Sequence, residues 1–116
     1  MSRGLSRIAG FTITTADPAA TAASYAAELG YVARAAGTVT PLKAAQWTAP
    51  KMAGRRYVEM HLPKSSGPGC FVRFVEQDPF PGVPLLGHGW NAMEVLCQSP
   101  YELAKDLAGS AFRVVI

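Results

Sequence analysis

The chain has 116 residues, of which 49% are hydrophobic and 16% charged, and its formal net charge is +3. This length is enough for one modest domain with a hydrophobic core. The basic residues form no stripe interleaved with aromatic residues, and no segment approaches the roughly 18 apolar residues of a membrane span. Nucleic acid and membrane partners are therefore excluded, and a bacterial-type cytoplasmic protein is expected.

The first predicted elements are a strand and a capped helix. Residues Ile8–Thr14 alternate between core-facing apolar positions and small or polar ones, which is the period of a half-buried strand. Asp17 can accept hydrogen bonds from the free amide groups of a helix start, and Pro18 suits the first helical position because it has no N–H to lose. The helix is predicted to run to Leu29 and to end at Gly30.

More strands are predicted in the same half of the chain. Tyr31–Thr40 is predicted as a strand, and Gln46–Thr48 offers a short strand inside a loop that contains Pro and Gly. Arg56–Leu62 alternates sharply, and Cys70–Glu76 forms a hairpin with it, with Val72 and Phe74 toward the core. The opposite face of this hairpin is predicted to carry Tyr57, Glu59, His61, Phe71, Arg73 and Val75.

The two cysteines are expected to be free. Cys70 and Cys97 each lie in an apolar strand pattern and far from any CxxC spacing. Buried thiols in a reducing compartment are therefore favoured over a disulfide or a zinc site.

A weak internal repeat links the two ends of the chain. When Pro18 is superposed on Pro100, Asp17 falls on Ser99 and the first strand falls on Ala92–Cys97. Both predicted helices then begin with a capping residue followed by proline. The repeat predicts a first module over 1–77, a Pro- and Gly-rich crossover over 78–89, and the start of a second module over 90–116.

The order of strand, helix and three strands, repeated after a crossover, resembles the glyoxalase, bleomycin-resistance and extradiol-dioxygenase superfamily, also called vicinal oxygen chelate proteins. Asp17-Pro18 and Leu29-Gly30-Tyr31 are similar to that superfamily's first helix and its glycine turn. The resemblance implies an α+β fold of paired βαβββ modules with a ligand cleft. The second module stops here with a strand predicted at Ala111–Ile116, two strands short. We therefore expect either a longer native chain, or a homodimer or strand exchange with another chain.

The usual metal site of that superfamily is not expected here. The resemblance implies a His or Gln on the first strand of each module and a Glu on the last strand. The first-strand positions fall on Gly10 and Ala92, which cannot bind metal, and Arg73 or a neighbour stands where the first Glu would be. No cofactor is predicted.

The polar face of the predicted hairpin carries the candidate site. Glu59 or His61 is a candidate general base near a bound carbonyl, and Arg73 is a candidate holder of a carboxylate or enolate. Two alternatives stay open: a plain cross-strand salt bridge with a hydrogen-bonded surface, or a metal held jointly by Glu59 and His61. The same cleft is expected to be lined by Trp47, Tyr57 and Glu94.

Three functions follow from these observations. The first is a protein that binds or sequesters a small organic molecule without a metal. The second is a lyase, isomerase or dioxygenase-type enzyme whose metal ligands lie outside this chain. The third is a ferredoxin-like dimeric interaction domain in which the repeat is accidental. The sequence names neither the ligand nor a reaction.

Overall fold

The computed structural model describes residues 8–63, 70–78, 93 and 97–114. The chain divides into two compact units, Met1–Asp78 and Pro79–Ile116. The described part of the first unit holds a four-stranded sheet with helices, and the described part of the second holds one helix. The predicted α+β class is confirmed.

The first unit follows the predicted order of strand, helix and three strands, with two short helical segments before the third strand. Its elements are β1 (Gly10–Thr15), α1 (Pro18–Leu29), β2 (Val32–Thr38), α2 (Pro41–Gln46), a 3-10 helix (Pro50–Met52), β3 (Arg56–His61) and β4 (Phe71–Glu76). The second unit contributes α3 (Pro100–Leu107). Within the described ranges, no helix has both the length and the apolar character needed to cross a membrane.

The sheet is mixed and has the strand order β1-β4-β3-β2. β1 runs parallel to β4, whereas β4 with β3 and β3 with β2 are antiparallel, which confirms the predicted hairpin. The register places Thr12, Arg73, Glu59 and Ala35 side by side across the four strands. Residues directly opposite each other on neighbouring strands point to the same side, so this row belongs to one sheet face.

The α-helices begin by the same local rule. Asp17, Thr40 and Ser99 each accept a hydrogen bond from the backbone N–H three residues further on, and a proline follows each of them. The side-chain oxygen satisfies an amide that has no partner in the first helical turn. α1 ends at Gly30 with a φ of 73°, a left-handed conformation that glycine adopts without steric cost. The predicted ends of α1 and the predicted start of α3 are confirmed.

One face of the sheet, here called the helix face, carries Val58, Met60, Val72 and Phe74 and packs against α1. Phe74 is 0% exposed, and its ring centroid lies 4.7 Å from that of Tyr25 on the helix. Burial of these apolar side chains is the main source of stability in this unit. The prediction that Val72 and Phe74 face the core is confirmed.

The other face, here called the polar face, carries Thr12, Glu59, His61, Phe71 and Arg73. At one end of this face, α2 and the 3-10 helix fold over the strands and form a second small core. That core consists of the buried residues Val39, Ala44, Tyr57 and Val75, with Ala35, Trp47 and Met52 packed against it. The alternation in the hairpin therefore correctly predicts that Tyr57 and Val75 lie on the polar face. Both are nevertheless buried, because the second core covers this end of the face.

Two expectations about local structure and burial are wrong. The short strand at Gln46–Thr48 is absent, because Gln46 closes α2 and Thr48 follows with a φ of 55°. Thr40 and the proline after it start a helix that overrides the strand preference of the segment. Both cysteines are exposed rather than buried, since Cys70 precedes β4 and Cys97 stands two residues before the cap of α3.

The strands predicted for the second module are not observed in its described residues. The segment Ala92–Cys97 lies outside the described residues except for Met93 and Cys97, neither of which is in a strand. Ala111–Val114 forms a bend and an irregular segment, because the Ser110 hydroxyl accepts a hydrogen bond from the Phe112 amide at 3.1 Å. The strand prediction is therefore wrong for Ala111–Val114.

Candidate functional site

The centre of the polar face is a hydrogen-bonded row across three strands. Arg73 of β4 donates from Nε and Nη2 to Oε1 of Glu59 on β3, at 3.1 and 3.0 Å. Its Nη1 donates to Oγ1 of Thr12 on β1 at 3.3 Å. The side chains of Arg73 and Glu59 are each 14% exposed. The cross-strand salt bridge that the sequence left as an alternative is therefore present.

A second arginine reaches the same carboxylate through a bulge in β2. The register shifts between Ala33 and Ala35, which leaves Arg34 as the extra residue of the strand. Nε of Arg34 lies 3.3 Å from Oε2 of Glu59. Each carboxylate oxygen of Glu59 thus contacts one arginine.

Aromatic rings surround the guanidinium of Arg73. Its Cζ atom lies 3.8 Å from the ring centroid of Trp47 and 4.6 Å from that of Phe71. Trp47 also packs edge-on against Tyr57, with centroids 5.4 Å apart, so it is fixed by the second core. Contacts of a guanidinium with aromatic faces are favourable and hold its plane in one orientation.

Lys43 of α2 adds a further cation beside these rings. Its Nζ lies 5.8 Å from the ring centroid of Trp47 and 5.4 Å from that of Tyr57. The lysine follows Thr40 by three residues, and its backbone amide donates to the Thr40 side chain at 3.1 Å. The cap of α2 therefore also fixes the backbone from which this lysine extends.

The structure brings most of the predicted site residues onto one surface. Trp47, Glu59 and Arg73 are in contact, whereas Tyr57 is buried beneath Trp47. His61 is partly exposed at the end of β3, in register with Phe71, and its side chain has no hydrogen bond or ion pair within the described residues. Glu94 lies outside the described residues.

Three residues of the site were not predicted from the sequence: Thr12, Arg34 and Lys43. Thr12 is signalled by the alternation of β1, since it lies between the core-facing Phe11 and Ile13. Arg34 has no such signal, because a bulge does not show in the alternation of a short strand that contains four alanine and glycine residues. Lys43 could not be predicted either, because it lies near the other site residues only once α2 has folded onto the sheet.

Phe71 lies across the backbone of β1. A Cβ atom at Gly10, its register partner, would overlap the ring of Phe71. The absence of a side chain at Gly10 therefore leaves room for the ring in its place beside Arg73.

The helix face also carries an ion pair, at the start of β3 and the end of β4. Arg56 donates from Nε to Oε2 of Glu76 at 3.0 Å, and its Nη2 lies 2.5 Å from the same oxygen. These hydrogen bonds lower the pKa of the Glu76 carboxyl below its ordinary value. A shallow cleft of about 310 Å³ opens beside this pair and the start of α1. Most of its lining is apolar or lacks a functional side chain, so the polar face is the better candidate site.

Within the described ranges, no three His, Cys, Asp or Glu side chains stand close enough together to hold a metal ion.

Comparison of the chain with protein-family models, with curated proteins and with solved structures finds no match. The resemblance to the glyoxalase superfamily therefore rests on the order of elements and on the Asp17-Pro18 and Leu29-Gly30 pattern alone.

Proposed function

We propose that this chain binds a small organic molecule on the polar face of its first unit, with Arg73 as the principal contact. The observation that carries the proposal is the fixed guanidinium, which is mostly shielded from water and held by Glu59, Thr12 and Trp47. A donor that is already oriented loses little conformational freedom when a ligand arrives, which favours binding.

The surroundings of Arg73 suit a small molecule. Recognition sites for such ligands combine aromatic or apolar walls with a few converging polar groups. Here the rings of Trp47 and Phe71 lie next to the donors of Arg73, and the hydroxyl of Thr12 lies on its other side. His61 lies two residues along β3 from Glu59 and is paired with Phe71, so its imidazole can contact the same ligand.

The proposal gives Glu59 a positioning role. The Glu59 carboxylate is already engaged by both arginines, one at each oxygen, and these contacts compete with any role in taking a proton from a substrate. Its contacts instead hold Arg73 across the sheet. This supports binding rather than general-base catalysis by Glu59.

The proposal includes paired βαβββ modules similar to those of the glyoxalase superfamily. Two observations support it: the element order of the first unit, and the close match of the two predicted cap positions. Asp17 has φ −138° and ψ 93°, and Ser99 has φ −144° and ψ 98°. Thr40, which caps the unrelated helix α2, differs with φ −75° and ψ 158°.

The proposal is tested by NMR on the full 116-residue chain labelled with ¹⁵N. The probes are 2-naphthoate, 2-naphthamide and 2-naphthylmethylamine, which share one ring system. We expect at least one probe to shift both the indole N–H of Trp47 and the Nε–H of Arg73, with Trp47→Phe identifying the indole signal. Shifts absent from both groups for every probe would overturn the proposal.

A pair of matched variants separates the site from general surface effects. Arg73→Lys keeps the charge but loses the planar donor fork, so probe binding should weaken about tenfold. Arg56→Lys makes the same change on the helix face and should leave probe binding as it is. Equal loss in the two variants would place the binding elsewhere.

A further inference from the structure

We infer that the ligand of the polar face is a ring-bearing organic anion, a carboxylate in the simplest case; this rests on the proposed function. The first observation is the charge of the site in the described residues. The charged groups of the site are three cationic side chains, Arg34, Lys43 and Arg73, and a single carboxylate, Glu59, which leaves an excess of two positive charges.

The excess is not neutralised within the described part of the chain. Glu59 contacts both arginines through separate oxygens, so one negative charge serves two positive ones. No salt bridge of the described residues involves Lys43, whose ammonium group lies over the rings of Trp47 and Tyr57 instead. A site with this balance attracts anions and repels cations.

The second observation is the hydrogen-bonding capacity of Arg73. A guanidinium has five N–H groups and no acceptor. The hydrogen bonds to Glu59 and Thr12 use one on Nε, one on Nη2 and one on Nη1. One N–H on each terminal nitrogen is thus left without an acceptor among the described residues. A carboxylate oxygen matches such donors better than a neutral amide or hydroxyl does, because the bond is charge-assisted on both sides.

The third observation favours an organic over an inorganic anion. The free donors lie next to the rings of Trp47 and Phe71, which flank the guanidinium at 3.8 and 4.6 Å. An anion with an attached ring can bury apolar surface against these side chains while its charged group contacts Arg73. Sulfate or phosphate would make only the polar contacts.

The naphthalene probes test the charge preference directly, because they differ only in the group attached to the ring. We expect 2-naphthoate to bind about tenfold more tightly than 2-naphthamide, and 2-naphthylmethylamine to bind most weakly. Sodium sulfate at equal concentration, with ionic strength held constant by sodium chloride, should not displace 2-naphthoate.

Arg34 and Arg56 provide a matched pair of variants. Both side chains are exposed, at 51% and 59%, and each contacts one glutamate on its own sheet face. Arg34→Gln should weaken 2-naphthoate about threefold and should weaken 2-naphthamide less. Arg56→Gln removes the same charge from the helix face and should change neither.

The outcomes separate the inference from the function on which it rests. Equal affinity for 2-naphthoate and 2-naphthamide at Trp47 and Arg73 would overturn the anion preference and keep the binding site. Displacement by sulfate would overturn the preference for an organic anion. Failure of every probe to shift these two groups would overturn the proposed function and the inference together.

Discussion

The two faces of the sheet are made by the same strands, yet they place their ion pairs in opposite settings. On the helix face Met60, Val72 and Phe74 are buried, and Arg56 and Glu76 pair at the start of β3 and the end of β4 with side-chain exposures of 59% and 35%. On the polar face Arg73 and Glu59 lie in the middle, among aromatic rings. A shielded pair costs desolvation, and this cost fits the binding role proposed for Arg73.

The largest effect is expected from the helix face. Phe74→Ala should lower the free energy of unfolding by about 3–5 kcal/mol, because it leaves a cavity where the ring packs against Tyr25. Urea unfolding followed by circular dichroism measures the loss. Thr14→Ala, at an exposed position on the other side of β1, should stay within about 0.5 kcal/mol. Similar losses in the two variants would erase the distinction between the faces.

An intermediate effect is expected from the shielded ion pair. Glu59→Gln leaves Arg73 and Arg34 without a countercharge and should cost about 1–3 kcal/mol. The same urea experiment detects this, and the Nε–H signal of Arg73 should move. Glu76→Gln is the matched change on the helix face and should cost less. A larger loss for Glu76→Gln would reverse the comparison.

A smaller effect is expected where the polar face meets β1. Gly10→Ala forces the ring of Phe71 away from its place beside Arg73 and should cost about 1 kcal/mol. The Nε–H signal of Arg73 should shift with it. The double variant with Phe71→Ala tests the cause, since the two changes should then fail to add. Additive losses would mean that Gly10 acts through the backbone.

The smallest expected effect is a pH dependence of stability that comes from the Arg56–Glu76 pair on the helix face. The pKa of Glu76 is lowered by Arg56, so the folded protein favours the ionised carboxyl more than the unfolded chain does. This contribution is present above the ordinary glutamate pKa of about 4.3 and is lost as the pH falls through the lowered value. The Tm difference between wild type and Glu76→Gln should shrink toward zero on acidification. A difference that grows at low pH would contradict the sign.

The sequence predicts features whose causes are local. Asp17, Pro18 and Gly30 determine the ends of α1 through neighbouring backbone groups, and the alternation in β3 puts Glu59 on the face of Arg73. Thr40 carries the same start signal before α2. That helix has only six residues, which is too short for an apolar periodicity to distinguish it from a loop.

The remaining features depend on contacts between distant segments. Trp47 could be selected as an aromatic residue, but its position over Arg73 exists only because α2 folds onto the sheet. The bulge that turns Arg34 toward Glu59 is a property of strand pairing, and Val75 is buried by the second core that α2 and the 3-10 helix form over the strands. Glu94 stays a prediction, since it lies outside the described residues.

The parallel pairing of β1 with β4 also has a consequence for how this unit folds. The hydrogen bond between Thr12 and Arg73 joins residues 61 positions apart, and β1 has its only strand partner in β4 among the described residues. Closing such a long loop slows folding, because its entropy is lost before the contacts form. During synthesis β1 emerges first and stays unpaired until β4 has left the ribosome. Arg73 therefore gains its full set of partners in a late step, and in a Trp90→Phe variant the fluorescence of Trp47 during refolding should report that step as a slow phase.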